Sequence, residues 1–144
     1  MDFIQSPPRE RVVELLEQAG LPFSDVSERM LEGYLGCSRA GQLCGTIGLE
    51  THGEFGLLRS LAVSPTCRGS GYGAALVSAL ESHAKAQGVT SLYLLTETAA
   101  RFFARQGYAI VSRSEVPEPL KVAEEFRSLC PETATVMWKA LHDG

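Results

Sequence analysis

Residues 67–76 read CRGSGYGAAL and set glycines at 69, 71 and 73 behind Arg68, where an apolar run ends and a helix-like pattern begins. The chemistry such a turn suits is the grip of a phosphate. The first N–H groups of a helix have no partner inside it, and its dipole leaves about half a positive charge there. A phosphate satisfies both. Side chains would block its approach, so glycines clear the way, and Arg68 adds a cation whose geometry suits phosphate. The stretch Arg68, Gly69, Ser70, Gly71, Tyr72, Gly73, Ala74 is therefore predicted to form a pyrophosphate cradle, held by the backbone N–H groups of Gly69 to Ala74. A Walker A loop is excluded, because Gly-Lys-Ser/Thr is absent. Gly69, Gly71 and Ala74 match a dinucleotide fingerprint, with Glu97 a little beyond the usual spacing of about 20 residues. That fold needs repeated crossover units, and too little chain follows for a second half. The pattern R-x-x-G-x-G, made by Arg68, Gly71 and Gly73, remains.

The elements that must hold this turn can be read from periodicity. SPPRERVVELLEQAGLP predicts a helix capped by Ser6, with Pro7 at its first position, Gly20 and Pro22 as its stop, and Val12, Leu15, Leu16 and Ala19 on one face. SDVSERML predicts a second, short helix. Residues 32–63 read as strands punctuated by Ala-Gly and His-Gly turns, too closely connected to pair other than antiparallel. From Gly73 to Gln87 a stripe of Leu76, Val77, Leu80 and Ala84 predicts a helix ended by Gly88. VTSLYLLT predicts a buried central strand, AARFFARQ a helix stopping at Gly107, and YAIVSR and TATVMWKAL two further strands. DFI predicts a short first strand. Leu120, Ala123, Phe126 and Leu129 keep helical spacing, which predicts a short helix or lid before Pro131. The order implies an α+β (mixed α/β layered) fold. One strand–helix–strand unit, roughly 57–96, runs parallel through a mostly antiparallel sheet, with helices on its faces.

The 144 residues, 44% hydrophobic, suit a single domain, 1–144, with its own core. A net charge of −4 argues against nonspecific nucleic-acid binding. No apolar run approaches the roughly 20 residues of a membrane span, and the start lacks the order of a signal peptide, so the expected location is cytoplasmic. The four cysteines form no C-x-x-C pair, the three histidines are scattered, and no metal site is expected. Free thiols follow. Cys130 has no evident activating base nearby. Trp138 is expected in the core or at a homodimer contact.

LRSLAVSPTCRGSGYGAALVSALESHAKAQGV resembles the acetyl-CoA-binding core of the GCN5-related N-acetyltransferases (GNAT), and FFARQGYAIV resembles the helix and Gly-aromatic pair that follow it in that family. GLETHGEFGLLRSLAV, YLLTETAARFFARQGY and FRSLCPETATVM resemble its arsenic-resistance-associated branch. The resemblance implies a sheet splayed at the cofactor site, acetyl-CoA as cosubstrate, and direct acyl transfer to the primary amine of a small molecule, with an amino acid or arsenical analogue suggested. The backbone of Leu61, Ala62 and Val63 would pair with the pantetheine arm, and one N–H would polarise the thioester carbonyl. Many members carry tyrosine where Phe103 stands beside the leaving sulfur, and a phenyl ring donates no proton; the alternatives are Tyr93, Tyr72, water, or no acid at all, since a thiolate is a fair leaving group. The family's usual asparagine after the central strand has no clear counterpart.

Such a reaction needs a base. Glu50 and Glu97 are the catalytic candidates, while His52 and Glu54 sit at a turn and read as solvated. Arg59 is expected to share its strand face with Leu57 and Leu61. It would pair there with Glu50 or Glu97, or take a substrate carboxylate in its fork. Thr96 and Thr98 either hydrogen-bond substrate or cap the next helix. Competing readings are a peptide N-acetyltransferase and a non-enzymatic acetyl-CoA sensor.

Overall fold

The computed structural model describes residues 2–129 and 133–141, without the side chains of 128 and 129. Cys130 and Pro131 lie outside the described residues. The strands are β1 (Asp2–Gln5), β2 (Tyr34–Arg39), β3 (Gln42–His52), β4 (Phe55–Val63), β5 (Ser91–Thr96), β6 (Ala109–Val111) and β7 (Thr135–Ala140). They form a 7-stranded sheet in the order β1-β2-β3-β4-β5-β7-β6. All pairings are antiparallel except β4–β5, which are joined by helix α2 (Tyr72–Ala86). The β2–β3 hairpin turns on Ala40 and Gly41, both at positive φ, and β3–β4 turns at Gly53.

Helices cover both faces. The predicted stripe of α2 is buried, with Leu76 and Leu80 fully sequestered against Ile47, Leu49 and Leu58. Helix α1 (Arg9–Ala19) buries Val12, Leu15 and Leu16 against Tyr34 and Ala62 on the other face. Burial of each such aliphatic side chain contributes about 1.5–3 kcal/mol. A third cluster joins Leu57, Tyr93 and Val136 to Val116, Leu120 and Ala123.

The start of α1 differs from expectation. Pro8, not Ser6, occupies the N-cap, and no side chain caps the helix. A proline disfavours helical geometry in the residue before it, so Pro8 keeps Pro7 out of the helix. Gly20 does end it, in the left-handed conformation. The second short helix reduces to a tight turn at Met30–Gly33. Helix α3 spans Ala100–Arg105. The described part of the expected 117–131 segment, 117–129, is not one helix: a 3₁₀ turn at Glu118–Leu120 precedes a wider i→i+5 turn at Glu125–Leu129.

Two irregularities shape the centre of the sheet. β4 and β5 pair only over Phe55–Leu57 and Ser91–Tyr93 and then part, although both strands continue. Opposite β3, Thr46 faces Ala62 while Gly48 faces Arg59, so β4 carries one extra residue. Ser60 takes φ 60 at this bulge. A bulge re-aims every side chain beyond it, and this corrects the expected face of Leu61. Leu57 lies in the Leu120 cluster, Ala62 packs under α1, and Leu61 packs with the α2 cluster on the opposite face.

Candidate active site

The gap between the parted strands opens into a cleft of ≈ 340 Å³. Its walls are β4 at 58–61, the end of β5 with the loop to 99, the exit of α1 at 19–22, Phe103 and Glu125. The ladder parity decides which backbone groups face it. Ser64 N–H donates to the Cys44 carbonyl at 2.7 Å, and Thr46 is registered with Ala62. In an antiparallel ladder bonding alternates along the strand, so Ala62 addresses β3 while Leu61 and Val63 turn their N–H and C=O groups toward the gap. The expectation that all of Leu61, Ala62 and Val63 are freed is corrected at Ala62, whose backbone is occupied by its neighbour.

β4 runs into the glycine turn. Gly69 and Gly71 have φ of +82° and +79°, and a Cβ added at either would meet nothing within 4 Å. Gly71 is the N-cap of α2, with no side-chain cap. Among the described residues, the N–H groups of Gly69, Gly71, Tyr72, Gly73 and Ala74 have no hydrogen-bond acceptor; the first bond of the helix is Ala75 N–H to the Gly71 carbonyl at 3.1 Å. The turn is thus a run of open donors without side chains over them, the chemistry a diphosphate needs. Arg68 is anchored by its Nε to the Val63 carbonyl at 3.2 Å, beside this turn. Ser70 is exposed at its rim.

Phe103 is buried in the cleft wall, edge-on to Phe102 and Tyr108 at 5.1 and 5.7 Å between centroids. Tyr72 and Tyr93 pack into the α2 and Leu120 clusters and line no part of the cleft. Thr96 accepts the Ala99 N–H at 3.0 Å, holding the loop that leads into α3. Glu97 is exposed at the cleft rim.

Among the described residues Arg59 is the one cation lining the cleft, and it is 2% exposed. Its fork grips both oxygens of Asp25 at 2.5 and 2.6 Å. A second donor of the same Nη reaches Glu50 at 3.1 Å, the other Nη lies 3.4 Å from Glu125, and Nε donates to Ser60 Oγ at 3.3 Å. Four of the five donors of the guanidinium are thus hydrogen-bonded, and the fifth lies on the Nη beside Glu125. Ser60 in turn shares a 2.6 Å bond with the buried Tyr34 hydroxyl, whose pKa burial pushes up to about 12. Of the two partners expected for Arg59, Glu50 is present and Glu97 is not. Glu50 also bonds His52 at 2.6 Å and lines a separate shallow groove, so its carboxylate is committed to the cluster and is not on the cleft wall.

Asp25 and Glu125 were not legible as site residues. Asp25 lies in a loop, and helical spacing turns Glu125 away from the stripe of Leu120, Ala123 and Phe126; the wider turn brings it inward, 4% exposed. The one signal was Arg59 itself, a charge among apolar neighbours that demands partners. Burial raises the Glu125 carboxyl from 4.5 to about 7, Asp25 and Glu50 push the same way, and Arg59 opposes them. A carboxyl raised on folding adds stability that is complete below about 4.5 and is lost as pH climbs through about 7. Glu125→Gln cannot ionise. It should match the parent in acid and exceed its stability by about 2–3 kcal/mol above neutrality, read by urea unfolding on both sides; equal stabilities in alkali would contradict it.

Cys37, Cys44 and Cys67 are buried and free, with Sγ of Cys37 and Cys44 3.8 Å apart. Among the described residues no group of His, Cys, Asp or Glu is placed to hold a metal ion, and no helix is long and apolar enough to cross a membrane.

The model of the family described as Acetyltransferase (GNAT) matches residues 3–108. An IAA acetyltransferase of Azospirillum brasilense is 29% identical over 124 residues, 73% of this chain and 81% of that protein. An amino-acid acetyltransferase of Neisseria meningitidis is 32% identical over 90 residues, 61% of this chain and 20% of that protein; the chain spans about a fifth of its length. The solved N-acetylglutamate synthase of Neisseria gonorrhoeae, complexed with coenzyme A and N-acetyl-glutamate, superposes with a TM-score of 0.85 at 24% identity, covering 99% of this chain and 35% of that one. That last likeness is one of fold.

Proposed function

Because the chain belongs to the acetyltransferase (GNAT) family, we propose that it moves the acetyl group of acetyl-CoA directly to the primary amine of a small molecule, an amino acid being the acceptor class its relatives' names favour. The observation that carries this reading is the parting of β4 from β5 beyond Leu57, which leaves Leu61 on the wall of a cleft while β4 runs on past Val63 into an open glycine turn.

In this reading the diphosphate of the cosubstrate sits on the N–H groups of Gly69, Gly71, Tyr72, Gly73 and Ala74, with Arg68 and Ser70 at the edge. Side chains there would fill the space, and Gly69 and Gly71 supply none. The pantetheine arm pairs along Leu61 and Val63 as an added strand. The Leu61 N–H polarises the thioester carbonyl, where developing negative charge rewards a fixed donor. Phe103 forms the apolar wall beside the sulfur. Among the described residues no tyrosine hydroxyl lies on the cleft wall, so the departing sulfur takes its proton through solvent and not from an acid on that wall. Thr96 and Glu97 border the acceptor. In this reading Arg59 does not hold the acceptor's carboxylate, because its guanidinium is hydrogen-bonded to Asp25, Glu50 and Ser60 and paired in charge with Glu125.

The test is thiol release from acetyl-CoA with the purified protein and a panel of amino acids, their decarboxylated counterparts and basic peptides, the products identified by mass spectrometry. Turnover of an amino acid above its decarboxylated counterpart is the expected result. Acetylation confined to peptides would overturn the small-molecule reading, and absence of coenzyme A binding by calorimetry would overturn the whole. The narrower likeness to the arsenic-resistance-associated branch, carried by GLLRSLAV and FRSLCPETATVM, adds an arsenical amino-acid analogue to the panel.

A further inference from the structure

Resting on that reading, we propose that Glu125 is the proton acceptor for the attacking amine, drawing the acceptor's ammonium into the cleft beside the Arg59 cluster. Glu125 is the buried carboxylate on the cleft wall, and it comes from the turn at Glu125–Leu129, outside the strand and glycine turn that carry the cosubstrate. Its tie to Arg59 is the longest in the cluster at 3.4 Å, against 2.5 and 2.6 Å for Asp25, and it is an ion-pair contact without a hydrogen bond. Glu125 is therefore the member of the cluster free to take a proton without breaking it.

The charges facing it come from every packed element. Arg59 stands on β4, Asp25 on the loop after α1, Glu50 on β3, and the Tyr34 hydroxyl on β2. One cation meets three carboxylates, so the cluster is anionic when all are ionised. Burial first, and then the neighbouring Asp25 and Glu50 against the pull of Arg59, raise the Glu125 carboxyl to about 7, the range in which a carboxylate works best as a base. The anionic excess favours a cationic guest over an anionic one. Glu97, the alternative, is exposed and has no described partner.

The step balances as follows. The ammonium gives one proton to Glu125, and the neutral amine forms the C–N bond at the thioester carbon. The intermediate loses its second nitrogen proton through solvent to the sulfur as the C–S bond breaks, so coenzyme A leaves as the thiol. Glu125 returns its proton to solvent.

Glu125→Gln, compared with Glu97→Gln, tests this. Glu125→Gln should bind coenzyme A with parent affinity, lower kcat/KM about 100-fold or more, and lose the acidic limb of the parent's pH profile; Glu125→Asp should restore part of both. Glu97→Gln should keep that limb. A limb kept in Glu125→Gln, or moved instead in Glu97→Gln, overturns the proposal. If no amine in the panel is acetylated, the acceptor reading fails by itself, and Glu125 is still decided by carboxyl-carbon NMR, its signal assigned by its loss in Glu125→Gln. With coenzyme A present, added ethylammonium chloride should shift its titration to lower pH. An unmoved titration overturns the proposal without reference to turnover.

Discussion

Gly71→Glu should abolish coenzyme A binding while the protein still folds. Gly71 sits at φ +79°, and a residue with a Cβ there costs about 1–2 kcal/mol. That is a modest fraction of a typical domain's stability, about 5–15 kcal/mol. Nothing lies within 4 Å of the added Cβ, so the side chain starts into open space. It projects instead over the open N–H groups of the turn, and its carboxylate takes the place and the charge of the diphosphate. Calorimetry should show affinity lowered at least about 100-fold, near 2.7 kcal/mol, with a melting temperature only a few degrees down. Gly71→Asn, a side chain that tolerates this conformation without bringing charge, should lose less. Parent affinity in Gly71→Glu would remove the glycine turn from the binding site.

Arg59→Met should be the most destabilising single change near the cleft. It leaves Asp25, Glu50 and Glu125 close together without a cation, with Glu125 4% exposed. Removing one partner of a buried ion pair typically costs about 3–5 kcal/mol, because the remaining charge keeps its desolvation cost. The sign of the pH dependence follows from the same carboxyls. Arg59 pulls the Glu125 carboxyl down, so without it that carboxyl rises further, and the stability it adds is present in acid and disappears as pH rises through the raised value. The gap between parent and Arg59→Met should therefore widen from acid toward neutrality in urea unfolding. Arg59→Lys keeps the charge but not the two-pronged grip on Asp25, and should fall between them. A loss below about 1 kcal/mol for Arg59→Met would mean that the cluster behaves as a solvated surface pair.

These two residues mark where the chain could and could not be read without its fold. The glycine turn was legible because its chemistry is local. Glycines at 69, 71 and 73 ahead of the Leu76, Val77, Leu80 and Ala84 stripe define a bare helix start wherever the rest of the chain goes, and α2 begins at Tyr72. Strand order near the site was legible for the same reason. Turns at Ala40-Gly41 and Gly53 leave antiparallel pairing as the only outcome, and a 15-residue helix between β4 and β5 allows the parallel one.

The Arg59 cluster was not. Its surroundings depend on the extra residue at Ser60, which a period-two reading passes over, so Leu61 was assigned to the wrong face. That Leu61 and Val63 turn away from β3, and Ala62 toward it, depends on the same register. Asp25 reaches Arg59 from 34 residues away and Glu125 from a turn whose width no hydrophobic spacing announces. The sequence by itself determined that a bare run of open amides stands at the start of α2, since helix ends and glycine conformations are properties of neighbouring residues. Only the tertiary structure decided which carboxylates share Arg59 and which of them faces the cleft, since burial and charge coupling are set by distances between segments remote along the chain.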